Sequence, residues 1–242
     1  MSSSKPVLFI SHITEEKEVA LKLKELIDGA FIGLFDTFVS TSPESIQMGN
    51  KWLDQISNAL HKSAIAIIIC SPASVKRPWI NFEAGAAWVR DINVIPLCHS
   101  GIKPSELPVP LSELQGALAS DPSSVRLVLS VLAQALNSKV PNPDVTDFTK
   151  FVSEFESTYT LKKTISEIVE RIREYDPNID RKLKNSTPFE LAVPLSNDGQ
   201  FRKDATFLEE KKLAKVQQLV GVSTSSIGMV AIYGIQRLKN LI

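Results

Sequence analysis

Cysteine is scarce, with two residues in 242, so no disulfide framework can carry the fold. Cys70 and Cys98 each fall inside an apolar run that reads as a buried strand, a placement suited to a reducing compartment. An excess of one charge is also missing, because Lys+Arg and Asp+Glu both number 27. A balanced chain offers no electrostatic reason to bind nucleic acid or an anionic membrane. No apolar run approaches the ~20 residues of a membrane span. The nearest, Ile227 to Ile235, is short and interrupted by Gly228 and Gly234. The segment Met1 to Pro6 has neither the basic nor the apolar region of a signal peptide. These absences together predict a cytoplasmic protein whose partners are neither membrane nor nucleic acid.

Glycine-rich loops are missing as well. The first apolar run ends in Ser11-His12-Ile13-Thr14-Glu15-Glu16, which excludes both a P-loop and a GxGxxG cradle at that point. A phosphoryl-accepting receiver domain needs acidic residues after its first strand and an aspartate after its third. Ser11-His12 and Cys70-Ser71 stand there instead. His12, His61 and His99 have no metal-ligand spacing with either cysteine, so no metal is expected.

What is present is ordinary globular material, 43% hydrophobic and 22% charged, enough for a sizeable core. Apolar runs alternate with helical periodicity along the first half. Val7 to Ile10 reads as a strand. A helix follows, carrying Val19, Leu23, Leu26 and Ile27 on one face, with Thr14 as its expected N-cap. Leu34 to Val39 reads as a second strand, Ser40 to Asn50 as a polar loop, and Trp52, Ile56 and Leu60 as one face of a second helix. Ala64 to Cys70 is apolar at every position, as a central parallel strand must be. A helix over Trp79–Val89, a strand over Val94 to Cys98, a weak strand over Leu114 to Ala119 and a helix over Val125 to Leu136 complete the pattern.

This alternation predicts an α/β fold, a flavodoxin-like five-stranded parallel sheet flanked by helices, over residues 1–137. Residues 138–146, with Pro141 and Pro143, read as a linker, and 147–242 as a mainly helical C-terminal region. There, Leu161, Ile165, Ile168, Val169, Ile172 and Tyr175 form an amphipathic stripe, and Leu191 to Val193 suggests a strand. Helices are expected over Asp204 to Val220 and Ser223 to Leu241, with a faint helix-turn-helix flavour outweighed by a plain packing or partner-binding role. In open parallel sheets ligands bind beyond the carboxyl ends of the strands, so chemistry belongs in the loops after the first three strands.

One segment there stands out. Pro78 starts a helix in which Trp79 and Glu83 are four apart and share a face. Glu83 lies among Phe82, Ala84, Gly85, Ala86 and Ala87, where an unpaired, desolvated carboxylate costs several kcal/mol, roughly. The plain reading is an ion pair with Arg77 or Arg90; the chemical one is a site. Trp88, off the Glu83 face, is expected in the core.

With Phe9-Ile10-Ser11-His12, the loop Ser45 to Leu53, the third strand running into Ser71-Pro72, and Trp79 with Glu83, the stretch from Val7 to about Leu136 resembles a TIR domain of the bacterial, NAD-cleaving type. The resemblance implies that Glu83 is the catalytic glutamate and that Trp79, four residues earlier, is its aromatic companion. It implies that Trp52 lines a nucleotide pocket and that Ser40 opens a mobile assembly loop. Ser11 and His12 would contact ribose or phosphate, against the ordinary role of closing a strand end. NAD would be the substrate, with no further cofactor, and activity would depend on self-assembly through TIR–TIR contacts, as in a defence or signalling effector. The C-terminal region would take a protein or ligand partner. Two other readings remain open: a silent TIR adaptor acting by self-association, and a nucleoside-processing transferase of related topology.

Overall fold

A computed structural model describes residues 5–40, 51–185, 189–194, 198–213, 215–218 and 227–232. It divides into two compact units, 1–157 and 158–242.

In the first unit the strands β1 (Val7–Ser11), β2 (Asp36–Val39), β3 (Ser63–Cys70), β4 (Asn93–Cys98) and β5 (Ala117–Leu118) form one sheet. Every pairing is parallel and the order is β2-β1-β3-β4-β5, the doubly wound arrangement the sequence predicted. The helices α1 (Lys17–Phe31), α2 (Lys51–Lys62) and α3 (Pro78–Trp88) make the first three crossovers, two 3-10 turns lie between β4 and β5, and α4 (Pro122–Ala135) follows β5.

The period-two logic of a central strand is visible in β3. Ile65, Ile67 and Ile69 join Leu8, Ile10 and the buried faces of α1 and α4 in one core. Ala66, Ile68 and Cys70 join Phe9 and the faces of α2 and α3 in a second. Each fully buried isoleucine contributes about 1.5–3 kcal/mol, so the two-faced strand anchors everything attached to its ends. The edge strands are short, β2 with four residues and β5 with two, which limits open ladder for unwanted pairing.

Local signals set the helix ends. Asp121 caps α4, accepting from the Ser123 and Ser124 N–H groups at 3.2 and 3.0 Å, and Pro122 supplies its first turn. Pro78 does the same for α3. The expected cap at Thr14 is corrected: Thr14–Glu16 form a 3-10 turn, and α1 begins at Lys17 with Glu16 as its N-cap. The chain leaves α1 through Ile32 in the left-handed region, φ 50°, and then Gly33. Trp88 is 56% exposed and not core. The buried face of α3 runs through Ile80, Glu83, Ala84 and Ala87, and one further residue rotates Trp88 off it.

A long helix, α5 (Thr146–Tyr175), begins in the first unit and ends in the second. The second unit adds α6 (Ile179–Asn185), β6 (Phe189–Pro194), α7 (Asp198–Glu210), β7 (Lys215–Gln218) and β8 (Ile227–Ile232). Ile165, Ile168, Val169 and Ile172 of the expected stripe are buried. The two terminal helices expected from sequence are corrected. The helix sits earlier, as α7, and strands β7 and β8 follow in an antiparallel sheet of order β6-β8-β7. With them goes the helix-turn-helix suggestion. A short apolar run such as Ile-Gly-Met-Val-Ala-Ile satisfies a buried helix or a central strand equally, and here six paired positions with β6 decide for the strand. No helix among the described residues is long and apolar enough to cross a membrane.

Candidate active site

The sheet's parallel order puts the residues that follow β1, β3 and β4 at one edge, beside the switch between β1 and β3. Ser11 ends β1, and α3, entered after a serine-rich turn following β3, brings Trp79 and Glu83 to the same place. That turn is held by its own side chains. The Ser71 N–H donates to Ser74 Oγ at 2.7 Å, and the Ser74 hydroxyl reaches the Ile69 carbonyl at 3.2 Å. Its rigidity fixes where α3 starts.

Glu83 is fully buried. Its two carboxylate oxygens take one donor each. The Trp79 indole N–H donates to Oε1 at 2.7 Å, the consequence of their four-residue spacing. The Ser11 hydroxyl donates to Oε2 in a short hydrogen bond, joining residues seventy-two positions apart. Both partners are neutral. Arg77, an alternative partner considered from sequence, turns instead to Glu15, at 2.9 Å. Burial pushes the Glu83 carboxyl up to about 7, against the pull of the Ser11 and Trp79 hydrogen bonds toward ionisation. An acid with that value exchanges its proton near neutrality, a property concentrated at functional sites. Glu83 is thus desolvated behind two donors.

The other expected site residues fall as follows. His12 is buried beside Ser11 with neither ring nitrogen hydrogen-bonded among the described residues, and burial pulls its pKa below the ordinary 6.5. Ser40, buried just past β2, uses its N–H to extend the strand pairing to the Ile10 carbonyl at 2.8 Å. Trp52 lies on α2, but its side chain and the loop 41–50 are outside the described residues. Among the described residues no group of three His, Cys, Asp or Glu side chains is placed to hold a metal. A cavity of about 340 Å³ does exist elsewhere, bordered by Asn93, Gln115, Val131 and Gln134. It adjoins the starting end of β4, the wrong end of a parallel strand for ligand chemistry.

Sequence reasoning missed a second buried polar assembly at the productive edge. Glu16 is fully buried, with Oε1 3.2 Å from His99 Nε2 and Oε2 accepting the Ile13 N–H at 3.3 Å. The signal was available. His99 directly follows β4, and residues directly after parallel strands converge on one edge. Glu16, beside Glu15 at the start of a helix, carries no such positional signal.

Several solved structures resemble the chain. Among them are the TIR domain of the Toll-related receptor TRR-2 from Hydra magnipapillata, a metazoan TIR-STING receptor from C. gigas, and the TIR domains of the activated Roq1 resistosome recognising the effector XopQ. Their identities are 18%, 20% and 13%, with TM-scores of 0.41, 0.39 and 0.32. The matches cover 55%, 71% and 63% of this chain and 98%, 53% and 80% of the respective structures. With scores this low, these neighbours add no argument to the topology described above. No curated protein matches the chain. The family model for the TIR domain, however, matches residues 8–134, more than half of the sequence and all five strands of the parallel sheet. The chain belongs to the TIR domain family.

Proposed function

We propose that this protein cleaves NAD at the nicotinamide–ribose bond, with Glu83 as the catalytic residue. The observation that carries this reading is a desolvated carboxylate held, among the described residues, by the neutral Ser11 hydroxyl and Trp79 indole. A structural acid in such a place finds a cation, because an unpaired buried charge is costly. Ordinary glycosidases need a second carboxyl group to protonate a poor leaving group. The nicotinamide of NAD is already cationic and needs none.

The bond between the pyridinium nitrogen and the ribose C1′ breaks with its electron pair, leaving neutral nicotinamide and a positive, oxocarbenium-like sugar. The ionised Glu83 stabilises that charge in a site of low dielectric. Water then adds at C1′ and releases a proton, giving ADP-ribose; attack by a ring nitrogen of the same nucleotide gives a cyclic product instead. Trp79, half-buried and tilted against Phe82 with ring centroids 5.1 Å apart, offers a flat ring edge to the nucleotide. Since Glu83 is buried, ribose hydroxyls must replace one of its present donors, so substrate binding displaces Ser11 or Trp79. His12, with free ring nitrogens, is placed beside that exchange, and Ser40 and Trp52 are assigned to the rim of the nucleotide site. No metal or further cofactor takes part, and activity follows self-assembly in a cytoplasmic signalling or defence setting, with the second unit receiving a partner.

A silent adaptor draws support from the exposed apolar side chains of α3, Phe82 at 55%, Trp88 at 56% and Val89 next to the helix at 83%, which suit contact with another protein. It gives no reason to keep Glu83 desolvated. Purified protein incubated with NAD under crowding that forces assembly decides between them. Nicotinamide release by the parent and none by Glu83→Gln supports the enzyme. Absence of release from both supports the adaptor, and release of base from free nucleosides but not NAD supports the transferase.

A further inference from the structure

The buried assembly around Glu16 extends further than the sheet. His99 Nδ1 lies 2.8 Å from the Ser100 hydroxyl. The Ser100 N–H donates to Glu156 Oε1 at 3.0 Å, and the Ser120 hydroxyl donates to the same oxygen at 3.3 Å. Glu156 is on α5, and its neighbour Phe155 rests against the His99 ring, centroids 5.7 Å apart. A chain of close polar contacts therefore runs from α5 through Ser100 and His99 to Glu16, whose Oε2 accepts the Ile13 N–H; its Oε1 approaches His99 Nε2 at 3.2 Å without hydrogen-bond alignment. Ile13 is two residues past Ser11.

That path has a mechanical consequence. Ser11 is the last residue of β1, so the backbone beyond it is not held by the ladder. Its course depends on the turn Ile13–Glu16, closed by the Glu16 N–H on the Ile13 carbonyl at 2.9 Å and by the Glu16 carboxylate on the Ile13 N–H. Glu16 is steadied from its far side by His99, and His99 by Ser100. Ser100 itself sits at φ 54°, a conformation that costs a non-glycine residue about 1 kcal/mol and needs an external hold. Glu156 supplies that hold through the Ser100 N–H.

We propose that Glu156 is a positioning residue, through which α5 sets the segment bearing Ser11 and His12 against Glu83. The inference rests on the reading of Glu83 as the functional centre, and it makes that centre answerable to a helix outside the residues 8–134 matched by the family.

The test uses the full chain with nitrogen-labelled tryptophan, observed by NMR without NAD. The Trp79 indole N–H, bonded to Glu83, reports the site directly, and Trp79→Phe assigns it. Glu156→Ala is expected to move the Trp79 resonance and leave that of exposed Trp88 in place. Glu156→Gln keeps an acceptor oxygen and is expected to restore the parent spectrum. With NAD, Glu156→Ala lowers kcat by about two- to thirtyfold, the range for mutations that act through a network, while KM changes less. An unmoved Trp79 resonance in Glu156→Ala overturns the proposal. So does equal damage from Glu156→Gln, or equal movement of Trp88, which marks general loosening. Should Glu156→Ala fail to fold, Ser100→Ala breaks the link to His99 and is read the same way. A parent that releases no nicotinamide refutes the assigned activity, and the resonances still judge the positioning role.

Discussion

Replacing Glu83 by Gln should make the protein more stable at alkaline pH while removing its activity. Glu83 titrates near 7 in the folded chain against an ordinary 4.5. Below 4.5 both folded and unfolded states carry the proton and the group is neutral to stability. Between 4.5 and 7 the unfolded chain has released its proton and the folded chain has kept it, so stability falls as pH rises, by about 1.4 kcal/mol per unit. Across that window the loss amounts to about 3 kcal/mol, a large part of the 5–15 kcal/mol, roughly, that holds a domain together. Gln does not titrate, keeps an oxygen for the Trp79 indole and has nearly the same shape. Urea unfolding of both proteins, from pH 4.5 to 8.5, isolates the effect, because every other titrating group cancels in the difference. The Gln variant should gain on the parent steadily up to about pH 7 and then level off. A difference flat across the range would mean that the Ser11 and Trp79 hydrogen bonds outweigh desolvation, and the account of a costly carboxylate would be wrong. The same substitution should lower NAD cleavage by about 10²–10³-fold, the scale of losing one preorganised electrostatic group.

If the ionised form is the working one, kcat/KM for NAD should rise with pH, with a logarithmic slope of about one, and level off above about 7; a rate falling over that range would assign Glu83 as an acid. Ser11→Ala removes a donor that favours ionisation, so the midpoint of the same profile should move to higher pH, and an unmoved midpoint would detach Ser11 from the site. Ile67→Ala, at a fully buried position of the central strand, should cost about 2–5 kcal/mol by urea titration. Ile32→Asn should raise stability by about 0.5–1 kcal/mol, because Ile32 is 89% exposed and its left-handed backbone is one that asparagine adopts more easily than a β-branched residue; a lower unfolding midpoint would contradict that backbone assignment.

Legibility in the sequence followed the range of the interaction. β3 could be read from seven apolar residues because a central parallel strand has no polar face, and α3 from Pro78 because the cap is local. The pairing of Trp79 with Glu83 was likewise readable, since four residues on a helix fix a shared face. The Ser11–Glu83 bond was harder. It spans seventy-two positions and follows only once the strand order is granted. The Glu16–His99–Glu156 path was missed because nothing local distinguishes its members. Glu16 reads as a helix-start acid and Glu156 as one of several charges on a solvated face. β7 and β8 were misread because six apolar residues satisfy two periodicities, and only their pairing with β6 breaks the tie.

The buried acids of this chain provide an internal comparison for Glu83. Among the described residues, Asp204 receives a bidentate Arg171 at 2.6 and 2.7 Å, Asp176 meets Lys182 at 2.5 Å, and Glu16 faces His99 at 3.2 Å. Asp204 and Asp176 each have a charged basic side chain within reach, as a structural carboxylate requires, and Glu16 at least has an imidazole beside it. Glu83 is as buried as any of them and has only a hydroxyl and an indole. A packing role would be served better by Gln or Leu at that position, with no cost near neutral pH. On the proposed reading, the partner missing from the resting site is a cation that arises only during reaction, on the sugar of the substrate. Ser11 and Trp79 then hold the carboxylate in the resting site until a ribose hydroxyl takes the place of one of them.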